Sequence, residues 1–248
     1  MSSYNLNFIS DSDLFAHVKE TVEKYRFTID LKKFNKNLID PIKLTFDSKI
    51  YQKSIEEIIE SEIICQMDKS NTNHIGYFHQ NIFRYIDGDW QVPLQGFDLI
   101  NEKEKIFVEM KNKHNTMNSS SSQKTYISMQ GEILRGADIK CFLVEVIAKK
   151  SQNIPWKISI NSKPYTHDNI RRVSIDKFYE IVTGEKNAFK DLCEVLPLVL
   201  DDVVSSLDQE TIDNSVLLEL QAISPNLLKS MYLLSFNEYE GFGSFDIK

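Results

Sequence analysis

The sequence segments GFDLI (96–100) and IFVEMK (106–111) decide the fold, and the charged segment NEKEK (101–105) separates them. Both segments are apolar and contain aromatic or β-branched residues, a composition that favours strands. A five-residue interval between two such runs is typical of a hairpin loop. The sequence therefore predicts two adjacent antiparallel strands here.

Three polar side chains are expected to converge on this hairpin. Glu109 and Lys111 should point the same way, because alternate residues of a strand share a face. Val108 and Met110 lie on the opposite face and are predicted to be buried in an apolar layer. The partner strand is expected to place Asp98 opposite Glu109.

The three residue types suit one kind of chemistry. Mg²⁺ prefers oxygen ligands and usually takes only one or two protein carboxylates, which makes Asp98 and Glu109 the expected metal ligands. Mn²⁺ is expected to substitute for it. Lys111 would orient the attacking water or stabilise the charge that develops on the phosphate. The pattern predicts Mg²⁺-dependent hydrolysis of phosphodiester bonds.

The alternative is a solvated strand face, since an Asp followed later by Glu-x-Lys also occurs by chance. Two neighbouring features favour the catalytic interpretation. The strand before Glu109 is strongly apolar, and from Lys111 to Lys124 there are three lysines, His114 and no acidic residue. The candidates for DNA contact in this stretch are Asn112, Lys113, His114, Asn115, Asn118, Ser119 and Lys124.

The remaining pattern predicts one α/β domain. The segment IKCFLVEVIA (139–148) is short, branched and nearly continuous in apolar residues, which indicates a buried central strand. Helices are predicted at 11–28, 50–67, 77–86, 125–135 and again after 176. A polar break is predicted at 70–76. Further strands are predicted at 90–100, 156–161 and 171–175. The predicted parts are a helical N-terminal part (1–69), a catalytic core (70–176) and a helical C-terminal part (177–248). The absence of a linker rich in Gly, Pro or Ser favours a single domain over 1–248.

Composition excludes several classes of protein. With 42% hydrophobic and 26% charged residues the chain is neither collagen-like nor disordered, and no apolar run is long enough to span a bilayer. The N-terminus lacks the features of a secretory signal, and three isolated cysteines fit a reducing cytoplasm. A net charge of −7 argues against nonspecific coating of nucleic acid, but it permits a basic cleft on an acidic body.

The motif also resembles that of a known group. The pair GFDLI and IFVEMK resembles the PD-(D/E)xK nuclease superfamily, with Phe97 in place of a proline that has no chemical role. The block KNKHNTMNSSS (111–121) is more specific and resembles type II restriction endonucleases that cut GGNCC or GGWCC sites. This similarity covers about residues 70–150 and continues loosely through 171–189. The implied fold is a restriction-endonuclease-like α/β core with a central mixed sheet, flanking helices and helical additions at both ends.

The resemblance implies partners and further site residues. It implies a homodimer that cuts both strands of a short palindromic site in double-stranded DNA, with 5′-phosphate products and no membrane contact. A cognate methyltransferase would accompany it in a bacterial or archaeal cytoplasm. Gln80 could orient water or phosphate, and Glu60 is the candidate for a further acid on a helix before the core, ahead of Glu62. Both residues could also have no role beyond an ordinary helix position. Glu60 would then belong to a solvent-exposed helix face.

Three alternatives remain open at this point. His114 could indicate a His-metal nuclease of the HNH type, but the second histidine and the asparagine that such a site needs at defined spacing are absent. A repair or junction-resolving nuclease of the same superfamily would carry the same motif. A DNA-binding protein that keeps the fold without activity is disfavoured by the intact Asp98, Glu109 and Lys111.

Overall fold

The chain divides into two compact units. The computed structural model describes residues 3–86, 88–114, 116–207, 213–236, 238–239, 242 and 245–247. The first unit comprises residues 1–23 and 74–208, and the second comprises 24–73 and 209–248. The single domain in three consecutive parts remains a prediction, and the two units interleave along the chain instead of following those parts.

The helices and strands follow one another in a mixed order. They are α1 (Asp11–Glu23), β1 (Thr28–Ile29), α2 (Leu31–Asn35), α3 (Pro41–Tyr51), α4 (Ile55–Asn81), a 3₁₀ turn (Ile82–Tyr85), β2 (Leu99–Asn101), β3 (Ile106–Lys113), α5 (Ser119–Ile133), β4 (Lys140–Ile147), β5 (Asn153–Pro155), β6 (Ile158–Ile160), β7 (Lys163–Tyr165), β8 (Ile170–Ser174), α6 (Ile175–Thr183), α7 (Ala188–Ser205), β9 (Asp213–Asn214), α8 (Val216–Ile223) and α9 (Leu227–Phe236). No helix in this described part of the chain has the length and apolar character needed to cross a membrane.

A five-stranded mixed sheet forms the centre of the first unit. Its strand order is β2-β3-β4-β8-β5. Strands β3, β4 and β8 run parallel to one another, whereas the edge strands β2 and β5 pair antiparallel with β3 and β8. The expected hairpin, the central strand and the restriction-endonuclease-like α/β fold are confirmed.

Helices cover both faces of this sheet. On one face, Val108 and Met110 of β3 join a core with α1, α6 and α7, in which Phe178 and Tyr179 are fully buried. On the other face, residues of the sheet pack with Tyr126 of α5. The alternation along β3 places Glu109 and Lys111 on the α5 side, as its period of two requires.

The predicted polar break at 70–76 is wrong. Helix α4 continues through this segment to Asn81 and so includes the first part of the helical piece predicted at 77–86, and residues 82–85 form a separate 3₁₀ turn. Ser, Asn and Thr cost only a few tenths of a kcal/mol each relative to better helix formers. Burial of Met67 in the second unit's core and of Phe78 in the first unit's core holds the helix on either side of the segment.

The predicted strand from Trp90 to Ile100 is also shorter than expected. Only Leu99–Asn101 forms β2, with a single bridge between Gln91 and Ile100 before it. Pro93 has no N–H for a strand ladder, and Gly96 has a φ of +95°, outside the β region. These two residues therefore make 92–98 a loop that leads directly into the candidate site.

The second unit is mainly helical. It contains α2, α3, residues 55–73 of α4, α8 and α9, together with the short parallel pair of β1 and β9. Phe34, Ile59, Leu220 and Met231 are fully buried in its core. The expected helical N- and C-terminal segments are confirmed.

Candidate active site

The β2–β3 hairpin brings the three predicted side chains together. Leu99 pairs with Val108, so Asp98 stands at the next position along the hairpin, beside Glu109. The Asp98 carboxylate accepts a hydrogen bond from the backbone N–H of Met110 at 2.7 Å. Lys111 Nζ donates to Glu109 Oε1 at 2.6 Å. The sequence-based expectation that these groups share one face of the hairpin is met.

The electrostatics of this pair favour a bound cation. Burial raises the pKa of the Asp98 carboxyl above its ordinary value, and the charge of Glu109 raises it further. Hydrogen bonds from Met110 and Gln80 and the positive charge of Lys111 act in the opposite direction without cancelling these effects. Two close carboxylates in a partly buried site repel each other, and a divalent cation between them would remove that repulsion.

The donor set consists of carboxylates. Among the described residues no group of three or more His, Cys, Asp or Glu side chains is arranged to hold a metal ion. Asp98 and Glu109 are the two carboxylates that the hairpin offers to a metal ion, and the Glu109 side chain is 19% exposed. This combination, completed by water, fits Mg²⁺.

The last turns of α4 pack against the β2–β3 hairpin. Gln80 of α4 acts on the Asp98 carboxyl, whose pKa it lowers through a side-chain hydrogen bond, whereas the sequence suggested that Gln80 orients water or phosphate. One turn earlier, a Cβ at Gly76 would lie 3.4 Å from the amide of Asn112, which is ordinary van der Waals contact. A larger side chain at position 76 would displace that amide. Asn112 is therefore placed against α4 at the end of β3.

A cleft of about 640 Å³ opens beside Glu109 and Lys111. Gly96 and Phe97 border it on the hairpin side. Residues from the following loop and α5 form the other wall: Thr116, Met117, Ser121, Lys124, Thr125 and Ser128. Lys124 is thus placed where a phosphate in the cleft would meet a positive charge.

The other DNA-contact candidates occupy different environments. Lys113 is exposed at the end of β3, and Ser119 is exposed at the first residue of α5. The Asn118 side chain caps α5 by accepting a hydrogen bond from the N–H of Ser121 at 2.8 Å. Asn115 lies outside the described residues. Contact of these residues with DNA remains a prediction.

His114 belongs to a buried polar cluster. Its Nδ1 lies 3.0 and 3.1 Å from the two carboxylate oxygens of Glu145, a β4 residue that is only 1% exposed. Arg172 of β8 donates to the same carboxylate, and Gln152 approaches it at 3.5 Å. Glu145 is the residue opposite Lys111 in the parallel pairing of β3 and β4. The cluster therefore links β4 and β8 to the residue that directly follows β3, next to the candidate site.

Sequence reasoning missed Glu145 and Arg172. A signal for Glu145 was present, because a carboxylate inside the apolar run FLVEVI (142–147) is rarely buried without a partner. Arg172 gave no comparable signal.

Glu60 is an exposed residue of α4 in the second unit, and Glu62 accepts a hydrogen bond from Gln66 at 3.3 Å. A metal-binding role for Glu60 stays a prediction.

A mixed sheet with helices on both faces, and with two carboxylates and a lysine on one hairpin, defines an α/β nuclease fold of the restriction-endonuclease type. Comparison with known proteins identifies the family. The model of the Eco47II restriction endonuclease family matches residues 6–205. The chain belongs to this family and is a type II restriction endonuclease that acts on double-stranded DNA.

Two relatives align over most of their length. The chain is 33% identical to the type II restriction enzyme Sau96I of Staphylococcus aureus, over 94% of this chain and 99% of that protein. It is 31% identical to the type II restriction enzyme Eco47II of Escherichia coli, over 81% of this chain and 88% of that protein. Both alignments extend well beyond the motif on the hairpin.

Replacing Asn118 tests the cap of the helix that walls the cleft. Asn118→Ala is expected to lower the free energy of unfolding by about 1 kcal/mol, because the N–H of Ser121 loses its acceptor. Denaturant titration measures this, with Ser119→Ala as the control that removes an adjacent exposed hydroxyl. Equal stability of the two variants would contradict the capping role.

Asn118→Asp keeps a good cap but adds negative charge, so it should weaken DNA binding without loss of stability if Asn118 also faces DNA.

Proposed function

We propose that the protein is a Mg²⁺-dependent endonuclease that cuts both strands of a short palindromic GGNCC- or GGWCC-type site and leaves 5′-phosphates. Asp98, Glu109 and Lys111 carry the chemistry in this proposal. The observation that supports it most is their convergence on one hairpin, where Glu109 and Lys111 also line an open cleft. The resemblance of block 111–121 to enzymes that cut such sites supports the choice of sequence.

Asp98 and Glu109 would hold the metal ion. When bound, Mg²⁺ supplies positive charge that stabilises the transition state and lowers the pKa of a coordinated water. The Met110 N–H and Gln80 fix the Asp98 carboxylate, so this ligand does not need to reorganise during the reaction. Mn²⁺ would substitute, since it also accepts carboxylate and water ligands.

Lys111 would act on the phosphate. Its amine lies beside Glu109 at the cleft wall, where it can orient the attacking water or donate to a phosphate oxygen as charge develops. Lys124, on the opposite wall, would hold a DNA phosphate in the cleft. Together these two lysines supply local positive charge on a chain whose net charge is −7.

The functional unit would be a homodimer. The described residues of one chain form one such hairpin site, and cutting both strands of a palindrome in one encounter needs two sites related by two-fold symmetry. A methyltransferase of the same specificity would protect the host DNA without needing to bind this protein.

Cleavage of a plasmid of known sequence tests the proposal. With Mg²⁺ or Mn²⁺ we expect discrete fragments whose ends map to GGNCC or GGWCC sites and carry 5′-phosphates. Chelation with EDTA should stop the reaction, and Mg²⁺ should restore it. Nicking that depends on DNA structure would instead support a repair enzyme. Binding without cutting, or cutting in EDTA, would contradict the proposed chemistry.

Gln80→Ala tests whether Gln80 orients the Asp98 carboxylate for metal binding. We expect about tenfold slower cleavage and a higher Mg²⁺ concentration for half-maximal rate, because the Asp98 carboxylate loses a partner that orients it. Gln221→Ala removes an exposed glutamine from α8 and serves as the matched control. An unchanged Mg²⁺ requirement in Gln80→Ala would show that Gln80 has only a structural role.

A further inference from the structure

Strands β6 and β7 form a two-stranded ribbon outside the central sheet. They pair antiparallel, and the register ends with Ile160 opposite Lys163. The two tip residues, Asn161 and Ser162, have φ angles of +49° and +62°. A two-residue loop with both central residues at positive φ matches the natural twist of a hairpin, so the ribbon has a defined shape.

The ribbon is anchored through β6 to the helix that walls the cleft. Ile158 and Ile160 are half-buried in the core that includes Tyr126 of α5. The amide of Gln123 on α5 donates to the carbonyl oxygen of Ser159 at 3.1 Å. Helix α5 also contributes Lys124 to the cleft. The ribbon therefore packs on the same helix that forms one wall of the cleft.

The outer part of the ribbon is exposed to solvent. Every residue from 161 to 168 is exposed. The side chains of Asn161, Ser162, Lys163 and Tyr165 make no hydrogen bond or ion pair with any described residue. Pro164 on the free edge of β7 discourages addition of another strand, because it has no N–H to donate.

The charge of this region is opposite to that of the whole chain. Residues 149–167 contain four lysines and His167 but no Asp or Glu, whereas the net charge of the chain is −7. Positive charge attracts the DNA backbone, and exposed amide, hydroxyl and amine groups can bond to base edges. A two-stranded ribbon has the dimensions that enter the major groove.

We propose that the β6–β7 ribbon enters the major groove and determines sequence specificity, with Asn161, Ser162 and Lys163 at base edges. Lys163 donates to O6 and N7 of a guanine in the GG half-site, the contact for which a lysine at a groove-facing tip is suited. This inference rests on the proposed function, since it needs a preferred site containing guanines. It assigns base reading to a segment outside the block 111–121.

Binding measurements on two tip variants test this assignment. Lys163→Ala removes the amine, and Asn161→Gly removes the amide while keeping a residue that tolerates positive φ. Lys186→Ala, at an exposed position between α6 and α7, is the control for loss of one positive charge. Affinity is measured in Ca²⁺ for a short duplex carrying the site mapped with the wild-type protein and for a scrambled duplex. Thermal melting and sedimentation report folding and oligomeric state.

We expect the ratio of specific to scrambled affinity to fall about tenfold or more in both tip variants. The control should keep the wild-type ratio. Equal weakening on both duplexes, with a smaller salt dependence, would show that Lys163 binds phosphate and would overturn base reading. A wild-type ratio in both variants, or loss of self-association with the ratio kept, would also overturn it. If Lys163→Ala fails to fold, Asn161→Gly decides.

The wild-type protein separates failure of this inference from failure of the proposed function. If the wild-type protein neither cuts at a defined site nor prefers one duplex, the proposed function fails and the ribbon inference fails with it. If the wild-type protein cuts and binds specifically while the tip variants behave as the control does, only the ribbon inference fails.

Discussion

Glu109→Gln is expected to reduce DNA cleavage on the order of 10³-fold or more, through loss of transition-state stabilisation of about 4 kcal/mol. The substitution keeps the shape of the side chain but removes the charge that would bind the metal ion. It also removes the anionic acceptor of the Lys111 amine, whose Nζ lies 2.6 Å from Glu109 Oε1. Single-turnover cleavage of a duplex with one site measures the effect without interference from product release.

Glu102→Gln is the matched control. Glu102 is an exposed residue in the turn between β2 and β3, so the same chemical change should leave the rate near that of wild type. Lys111→Met should lose cleavage in the same way while keeping DNA affinity in Ca²⁺, because the amine acts on the reacting phosphate. Wild-type turnover by Glu109→Gln would remove Glu109 from the mechanism.

Glu145→Ala is expected to lower the free energy of unfolding by about 3–5 kcal/mol. Glu145 is buried, and its carboxylate accepts from Arg172 while His114 lies within hydrogen-bond distance. Its removal leaves the Arg172 charge without its counter-charge. The Nε of Arg172 is already buried without a hydrogen-bond partner among the described residues, so the guanidinium depends on the Glu145 carboxylate.

Guanidinium titration of the variant and of Glu194→Ala measures this difference. Glu194 forms an exposed ion pair with Lys190 on α7, where solvent screens the interaction, so its loss should change stability little. If Glu145→Ala were no less stable than Glu194→Ala, the buried cluster would not support the sheet. A second variant, Glu145→Gln, keeps the shape and should still destabilise the protein, because a neutral amide cannot balance Arg172.

Local sequence patterns predicted the structure correctly where it depends on residues that are close together in the chain. The period of two along β3 placed Glu109 and Lys111 on one face and Val108 and Met110 in the core. The loop length predicted the β2–β3 hairpin, and the apolar run at 139–148 predicted the central strand. These features need no knowledge of distant contacts.

Local patterns failed where packing overrode weak propensities. The polar segment 70–76 has the composition of a loop, yet it is helical because buried residues hold α4 on either side of it. Conversely, the apolar stretch at 90–100 contains only a short strand, because Pro93 and Gly96 interrupt the ladder. In the segment 70–76 the free-energy difference between helix and loop is small, so tertiary burial decides. In the stretch 90–100 the two interrupting residues are themselves local signals.

The sequence by itself determined the β2–β3 hairpin, the central strand and the identity of Asp98, Glu109 and Lys111 as the candidate site. Only the tertiary structure decided that His114 lies against Glu145 and Arg172, and that Gln80 reaches Asp98. Glu145 is 31 positions from His114, and Arg172 is 58 positions from it. Partners so far apart meet because strand order and register set their spacing, and a local sequence pattern encodes neither.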